Sequence, residues 1–378
     1  MNSAIRAAAT LLTTAAFAVA AGGSAQAAGG WRQDPVPAAS GNVIAMAQLD
    51  RHTTWAAGFQ LTVDGQASTL NPMLLARDDR AGAGWKRIPT PADGADSRIN
   101  ALSADGARDV WLVGDNSVTA EGPILTEHWD GRNWRIAYAP VPAGTASAGL
   151  LGVAAVSPRD AWAVGWTQRW RGDTTYDTGL VEHWDGTAWQ QVKLPAGLPD
   201  VELFSITAAG PHDIWAGGVS LGGDDQPVLL HYDGKTWTRA TVSDTGLYGE
   251  FNTVVAAGPD DVWASGRTLL DDKDRGHPLV AHYDGHTWKT VPAPGTGVIF
   301  GSAPTPGGVT VVGYDKNTGQ PYGERLDAQG WHSLELPTVG IDSTPYSVAV
   351  SPRSISVGGA YNVDETSPFR PLMLTADR

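Results

Sequence analysis

Leu150-Leu151-Gly152-Val153-Ala154-Ala155-Val156 is a short apolar run, Ser157-Pro158-Arg159-Asp160 is a turn, and Ala161-Trp162-Ala163-Val164-Gly165 is a second apolar run. A polar segment follows. Then come Leu180-Val181-Glu182-His183-Trp184, the turn Asp185-Gly186-Thr187-Ala188, and Trp189-Gln190-Gln191-Val192. Runs of four to seven residues punctuated by Pro, Asp and Gly read as four antiparallel strands, and Asp-Gly is a strong tight-hairpin signal. A helical reading would need apolar residues at a 3.6-residue period, and these runs lack it.

The unit recurs. Trp-x-x-Gly appears at Trp55/Gly58, Trp111/Gly114, Trp162/Gly165, Trp215/Gly218 and Trp263/Gly266, with degenerate copies at Thr310/Gly313 and Ser351 to Gly359. Asp-Gly-x-x-Trp appears at Asp130, Asp185, Asp233 and Asp284, with looser copies ending at Trp85 and Trp331. The last unit ends at a third strand, Leu372 to Arg378, and lacks a fourth. The missing strand is found at the other end of the chain, around Trp31. From Trp31 the tryptophans at 85, 134, 189, 237, 288 and 331 follow at spacings of 54, 49, 55, 48, 51 and 43 residues. Four strands per unit at about 50 residues is a propeller pattern. The expectation is an all-β, seven-bladed β-propeller of four-stranded antiparallel blades. Residues 28–39 supply the fourth strand of the blade formed by 341–378, which closes the ring and removes an open sheet edge.

The units Asp-x-Trp-Ala-x-Gly and His-[Trp/Tyr]-Asp-Gly-x-x-Trp resemble repeats of secreted actinobacterial propeller proteins. More loosely they resemble the Asp-box repeats of sialidase-like (BNR) propellers, which carry an extra residue between Asp and Gly and a Ser or Thr where this chain has His. The resemblance spans nearly all of 28–378 and implies the fold. Such families contain enzymes, lectin-like binders and proteins of other roles, so it does not imply an activity.

Residues 1–27 read as a signal peptide: Arg6, the apolar Ala7 to Ala21, and the cleavage site Ala25-Gln26-Ala27. The apolar run is short of the roughly 20 residues a membrane span needs. The expectation is a secreted chain without a membrane anchor. Without Arg6, the 26 basic residues become 25 against 40 acidic ones, a formal −15. That charge repels nucleic acid. There is no cysteine, which excludes disulfides, zinc–thiolate sites and thiol nucleophiles.

Candidate functional residues fall on one face. His128, His183, His231 and His282 share one register in different blades and cannot converge, so they read as structural, bonding their own hairpins and locking the Asp-Gly turns. The segments between second and third strands vary in length and are the natural binding loops. One of them, Trp166 to Thr178, holds the only tryptophans outside the repeat. Trp166, Arg169, Trp170, Arg171 and Tyr176 are therefore the candidate ligand-binding set, with aromatic faces and arginines suited to a sugar ring or an acidic group. Asp271 to Gly276 partly resembles a calcium loop but lacks its bidentate Glu, so no metal site is assigned. No cofactor is expected. Arg98, Glu202, Tyr248, Glu250 and Tyr346 fall at or near first-strand starts, but a sialidase mechanism needs several arginines there and only Arg98 is present among them. No catalytic residues are assigned. The expected function is a non-enzymatic binding or interaction scaffold for a glycan or an extracellular or envelope protein. The alternatives are a glycoside hydrolase or lyase using axial carboxylates such as Glu202 and Glu250, and a structural envelope protein.

Overall fold

The computed structural model describes residues 30–64, 67–80, 84–93, 96–116, 124–196, 201–221, 225–269 and 276–378. The expected signal peptide and most of the 271–276 segment lie outside the described residues. Among those described there is no α-helix, and no helix long and apolar enough to cross a membrane. Seven four-stranded antiparallel sheets form the blades. Their first strands are Asn42–Gln48, Ser97–Ala104, Thr145–Ser157, Val201–Gly210, Tyr248–Gly258, Val298–Thr305 and Asp342–Val350. Each packs on the next around the axis, and the first and last of them also meet.

The chain ends close the ring. The strand Arg32–Gln33 pairs with Arg370–Asp377 through Arg32 opposite Thr375 and Gln33 opposite Leu374. Trp31 is buried, and its Nε1 donates to the Leu334 carbonyl of the preceding blade at 2.7 Å. Asp34 then accepts from Thr375 Oγ1 at 2.7 Å and from Trp85 Nε1 at 3.2 Å. Arg77 of the first blade reaches Thr375 Oγ1 at 2.8 Å and Asp34 Oδ2 at 3.6 Å. The closing strand thus ties together the last blade, the first blade and the one before the last.

The repeated residues form two devices. In blades 2 to 5 the third-strand His stacks on the second-strand Trp, with ring centroids 4.0–4.2 Å apart. Its Nε2 meets the Asp that opens the second strand, Asp109, Asp160, Asp213 or Asp261, at 2.6–2.9 Å. The histidines are structural, but their partner is this Asp and not their own hairpin. The hairpin is held by its own Asp: Asp185 Oδ1, for example, accepts from Thr187 N and Ala188 N, and Gly186 takes φ 93°. Between blades, four second-strand tryptophans meet the fourth-strand Trp of the next blade, Trp55–Trp134, Trp111–Trp189, Trp162–Trp237 and Trp215–Trp288, at 5.1–5.9 Å, and Trp263 shares a core cluster with Trp331. Such aromatic pairs add about 0.5–1.5 kcal/mol each beyond the area they bury.

The glycine of Trp-x-x-Gly has a separate cause. In all seven blades a Cβ on Gly58, Gly114, Gly165, Gly218, Gly266, Gly313 or Gly359 would run into a first-strand carbonyl at well under 3.0 Å. At that place every first strand carries a register shift. The glycine lets the backbone close over a β-bulge, which re-aims one extra residue per blade.

The segment 166–178, expected as a binding loop, is mostly an extension of the second and third strands, and residues 59–64 and 67–73 extend those of blade 1 in the same way. Asp160–Arg171 pairs with Thr174–Trp184 up to Arg171 opposite Thr174. Thr, Tyr and Trp at alternating positions favour such a ribbon, and Gly172, at φ 63°, permits its tight end.

Candidate functional site

The seven bulges decide what faces the axis. The extra residues are Ile44, Asn100, Leu151, Phe204, Asn252, Phe300 and Tyr346, and all seven line one cavity of ≈ 370 Å³. The volume falls in the usual range for a small-ligand or side-chain pocket. Strand one of each blade starts on the face that carries the second-to-third hairpins, so the cavity mouth opens among those hairpins.

The lining is unevenly distributed. Phe300 and Tyr346 touch, with centroids 5.3 Å apart, and Phe59 at the mouth meets Phe369 edge-on at 6.0 Å. These rings form an aromatic arc over blades 6, 7 and 1. The two bulge asparagines sit at blades 2 and 5. Asn100 Nδ2 donates to Leu150 O at 3.0 Å and Asn252 Nδ2 to Ile299 O at 2.9 Å, each bridging to the next blade. Further along, Thr253 Oγ1 meets Ser302 Oγ at 2.8 Å and Ser205 Oγ accepts from Val254 N at 3.0 Å. The inner wall is therefore stitched and preorganised. Two lining atoms, Asn42 Oδ1 and Ser347 Oγ, are buried without a hydrogen-bond partner. Buried orphans of this kind are costly unless a ligand or solvent meets them.

Arg98 and Glu250 are the charged residues of the lining. Arg98 is locked: Nε lies 3.0 and 3.2 Å and Nη2 3.0 Å from the Asp115 carboxylate, which Asn100 Nδ2 also reaches at 3.0 Å. Glu250 lies beside Arg267, with Oε1 3.2 Å from Nε. Beside them Lys316 follows the second strand of blade 6, Gly308–Asp315. Its ammonium is held below the ordinary lysine value by lost hydration and then by the Arg267 charge, with Glu250 pulling the other way. Burial pushes the Tyr346 hydroxyl up.

The sequence-derived set occupies the blade 3 ribbon and does not line the cavity. Residues opposite one another share a face, so Arg169 and Tyr176 lie together on one side with Arg171, whose guanidinium caps the Tyr176 ring at 4.1 Å. Trp170 points to the other side and is 64% exposed. Arg169 Nη1 donates to Ala143 O at 3.0 Å, fastening the ribbon to the preceding connector. Trp166 is nearer the axis: a Cβ on Gly149 would lie 3.3 Å from both its Nε1 and Asp115 Oδ2. Of the residues at first-strand starts, Arg98, Glu250 and Tyr346 reach the cavity, while Glu202 is buried and Tyr248 stands outside the lining. Among the described residues no group of His, Asp or Glu is gathered as a metal site.

Of the seven bulge residues the sequence reading named Tyr346 and missed Ile44, Asn100, Leu151, Phe204, Asn252 and Phe300. A signal existed: each lies 14 residues before its Trp-x-x-Gly glycine, or 13 in the last two blades. No family model and no curated relative matches the sequence. Among solved structures, YCF48 bound to D1 peptide is similar at a TM-score of 0.52 and 18% identity, covering 92% of this chain and 96% of that one. A GH74 xyloglucanase from Xanthomonas campestris is similar at 0.55 and 16%, covering 90% of this chain and 55% of the enzyme. A PL25 ulvan lyase follows at 0.51 and 9%, covering 90% and 95%. These likenesses place the chain among β-propellers and assign no activity.

Proposed function

We propose that this chain is an exported, non-enzymatic binding propeller whose axial cavity takes an extended segment of another extracellular or envelope protein. The observation that carries the reading is the bulge ring. Seven equivalent positions hold a mixed aromatic, aliphatic and amide lining. A peptide presents alternating apolar side chains and amide groups, which suits that mixture. YCF48 with its bound D1 peptide is a propeller that accepts such a ligand.

The enzymatic reading is less favoured. Hydrolysis by paired carboxylates needs two of them flanking one bond, and Glu250 is the lone carboxylate of the lining, already beside Arg267. Tyr346, as a lyase base, is moved away from ionisation by burial. Selection of a random peptide library on the protein tests the proposal. Enrichment of peptides that bind the native protein and not a Phe204→Ala/Phe300→Ala variant is expected. Turnover of a polysaccharide that disappears in Glu250→Gln, with no peptide enrichment, would contradict it.

A further inference from the structure

The two arginines of the mouth are held differently, and the difference points to a ligand group. Arg98 has three contacts with Asp115 at 3.0–3.2 Å, backed by Asn100. That is a saturated, two-pronged pair. Arg267 lies beside Glu250, with Nε 3.2 Å from Oε1, and its side chain keeps 32% of its exposure. Lys316 adds a second cation on the same side, so among the described residues two positive groups share the Glu250 carboxylate. The protein as a whole is strongly acidic, with a formal charge of −14. A local cationic excess at the mouth of its cavity would draw an anion against the background field. The wall next to this corner is Phe300 with Tyr346.

We infer that the mouth between blades 5 and 6 recognises a carboxylate on the peptide ligand, seated against Arg267 and Lys316, while an adjoining apolar side chain enters the aromatic arc. This deepens the proposed binding function and rests on it. Lys316 is suited to the role: its depressed basicity, from lost hydration and the Arg267 charge, is relieved when a second anion arrives. Asp315 does not supply that anion. Its Oδ1 accepts from Asn317 N and Thr318 N, and its Oδ2 from Thr296 Oγ1. Phosphate-sized groups would leave the aromatic arc empty. A carboxylate with an attached phenyl or alkyl group fills both halves of the corner.

The test is a titration followed by NMR, with acetylated glycyl-glycyl-phenylalanine as the free acid and as its C-terminal amide. A third peptide, an amide with glutamate beside the phenylalanine, separates a side-chain carboxylate from a chain terminus. The free acid or the glutamate peptide should bind about tenfold more tightly than the plain amide, and the preferred one names the source. Lys316→Gln, on an exposed turn, should reduce that preference several-fold, whereas Lys289→Gln on the opposite face should leave it intact. Equal binding of acid and amide, an unchanged preference in Lys316→Gln, or no binding by any of the three would overturn the inference. In those cases peptides from the library selection that still bind at the bulge ring keep the broader proposal standing. A failed library selection removes that proposal instead.

Discussion

At the start of the second strand, five of the seven blades carry the same residue, tryptophan, whereas the bulge of the first strand holds Ile44, Asn100, Leu151, Phe204, Asn252, Phe300 and Tyr346. The two positions belong to neighbouring strands of the same sheets. The first faces the next blade and its fourth-strand tryptophan, so five blades meet one packing problem with one answer, while blades 6 and 7 place Thr310 and Ser356 there. The second faces the axis, where some residues reach the next blade, as Asn100 and Asn252 do, and no single contact recurs in all seven. Variation on an otherwise constant register is what the proposed ligand site calls for. The glycine opposite the bulge links them, because a constant backbone device is what presents the variable residue.

Breaking the constant side should cost most. Trp31→Ala removes a buried indole from the closing seam, and a loss of about 3–5 kcal/mol is expected in denaturant unfolding. Gly218→Ala forces a Cβ into the Glu202 carbonyl and should cost about 3 kcal/mol or more. Gly258→Ala, where a Cβ meets nothing within 4 Å, should stay within about 0.5 kcal/mol. A similar loss at both glycines would show that the bulge does not depend on the missing side chain.

Glu182 sharpens the comparison from within a blade seam. It is fully buried, neither carboxylate oxygen has a hydrogen-bond partner, and burial raises its pKa from 4.5 to about 8. The folded state therefore keeps a proton that the unfolded chain releases. The stability this provides is complete below about pH 4.5 and falls as pH rises to about 8. Glu182→Gln should flatten that slope and raise the melting temperature at pH 8 by several degrees, with little change at pH 4. A parallel pH profile for both proteins would count against a neutral Glu182. His183→Ala, which removes the stack on Trp162 and the bond to Asp160, should cost about 1–2 kcal/mol. On the variable side, Phe300→Ala should lower stability least, because the ring stands at a cavity and not within a seam, while peptide binding drops.

The constant side was legible in the sequence. Trp-x-x-Gly and Asp-Gly-x-x-Trp mark strands two, three and four in most blades, and the unpaired Trp31 reveals the closure. First strands carry no comparable marker. Leu150 to Val156 looks like any apolar run, and the bulge that separates Leu150 from Gly152 in pairing leaves no motif of its own. The unusual composition of Trp166 to Tyr176 stands out in the sequence instead. That segment is a strand ribbon, with Trp170 and Arg171 on opposite faces. Arg267 and Lys316 are far apart in sequence and meet only because adjacent blades bring their hairpins to one mouth.

The most direct test is hydrogen–deuterium exchange of the protein with and without a library-selected peptide. Protection is expected in first-strand segments 42–46, 98–103, 250–255 and 298–302, which converge on the cavity. Protection confined to residues 166–176, with the first strands unchanged, would contradict the axial site and return the function to the blade 3 ribbon.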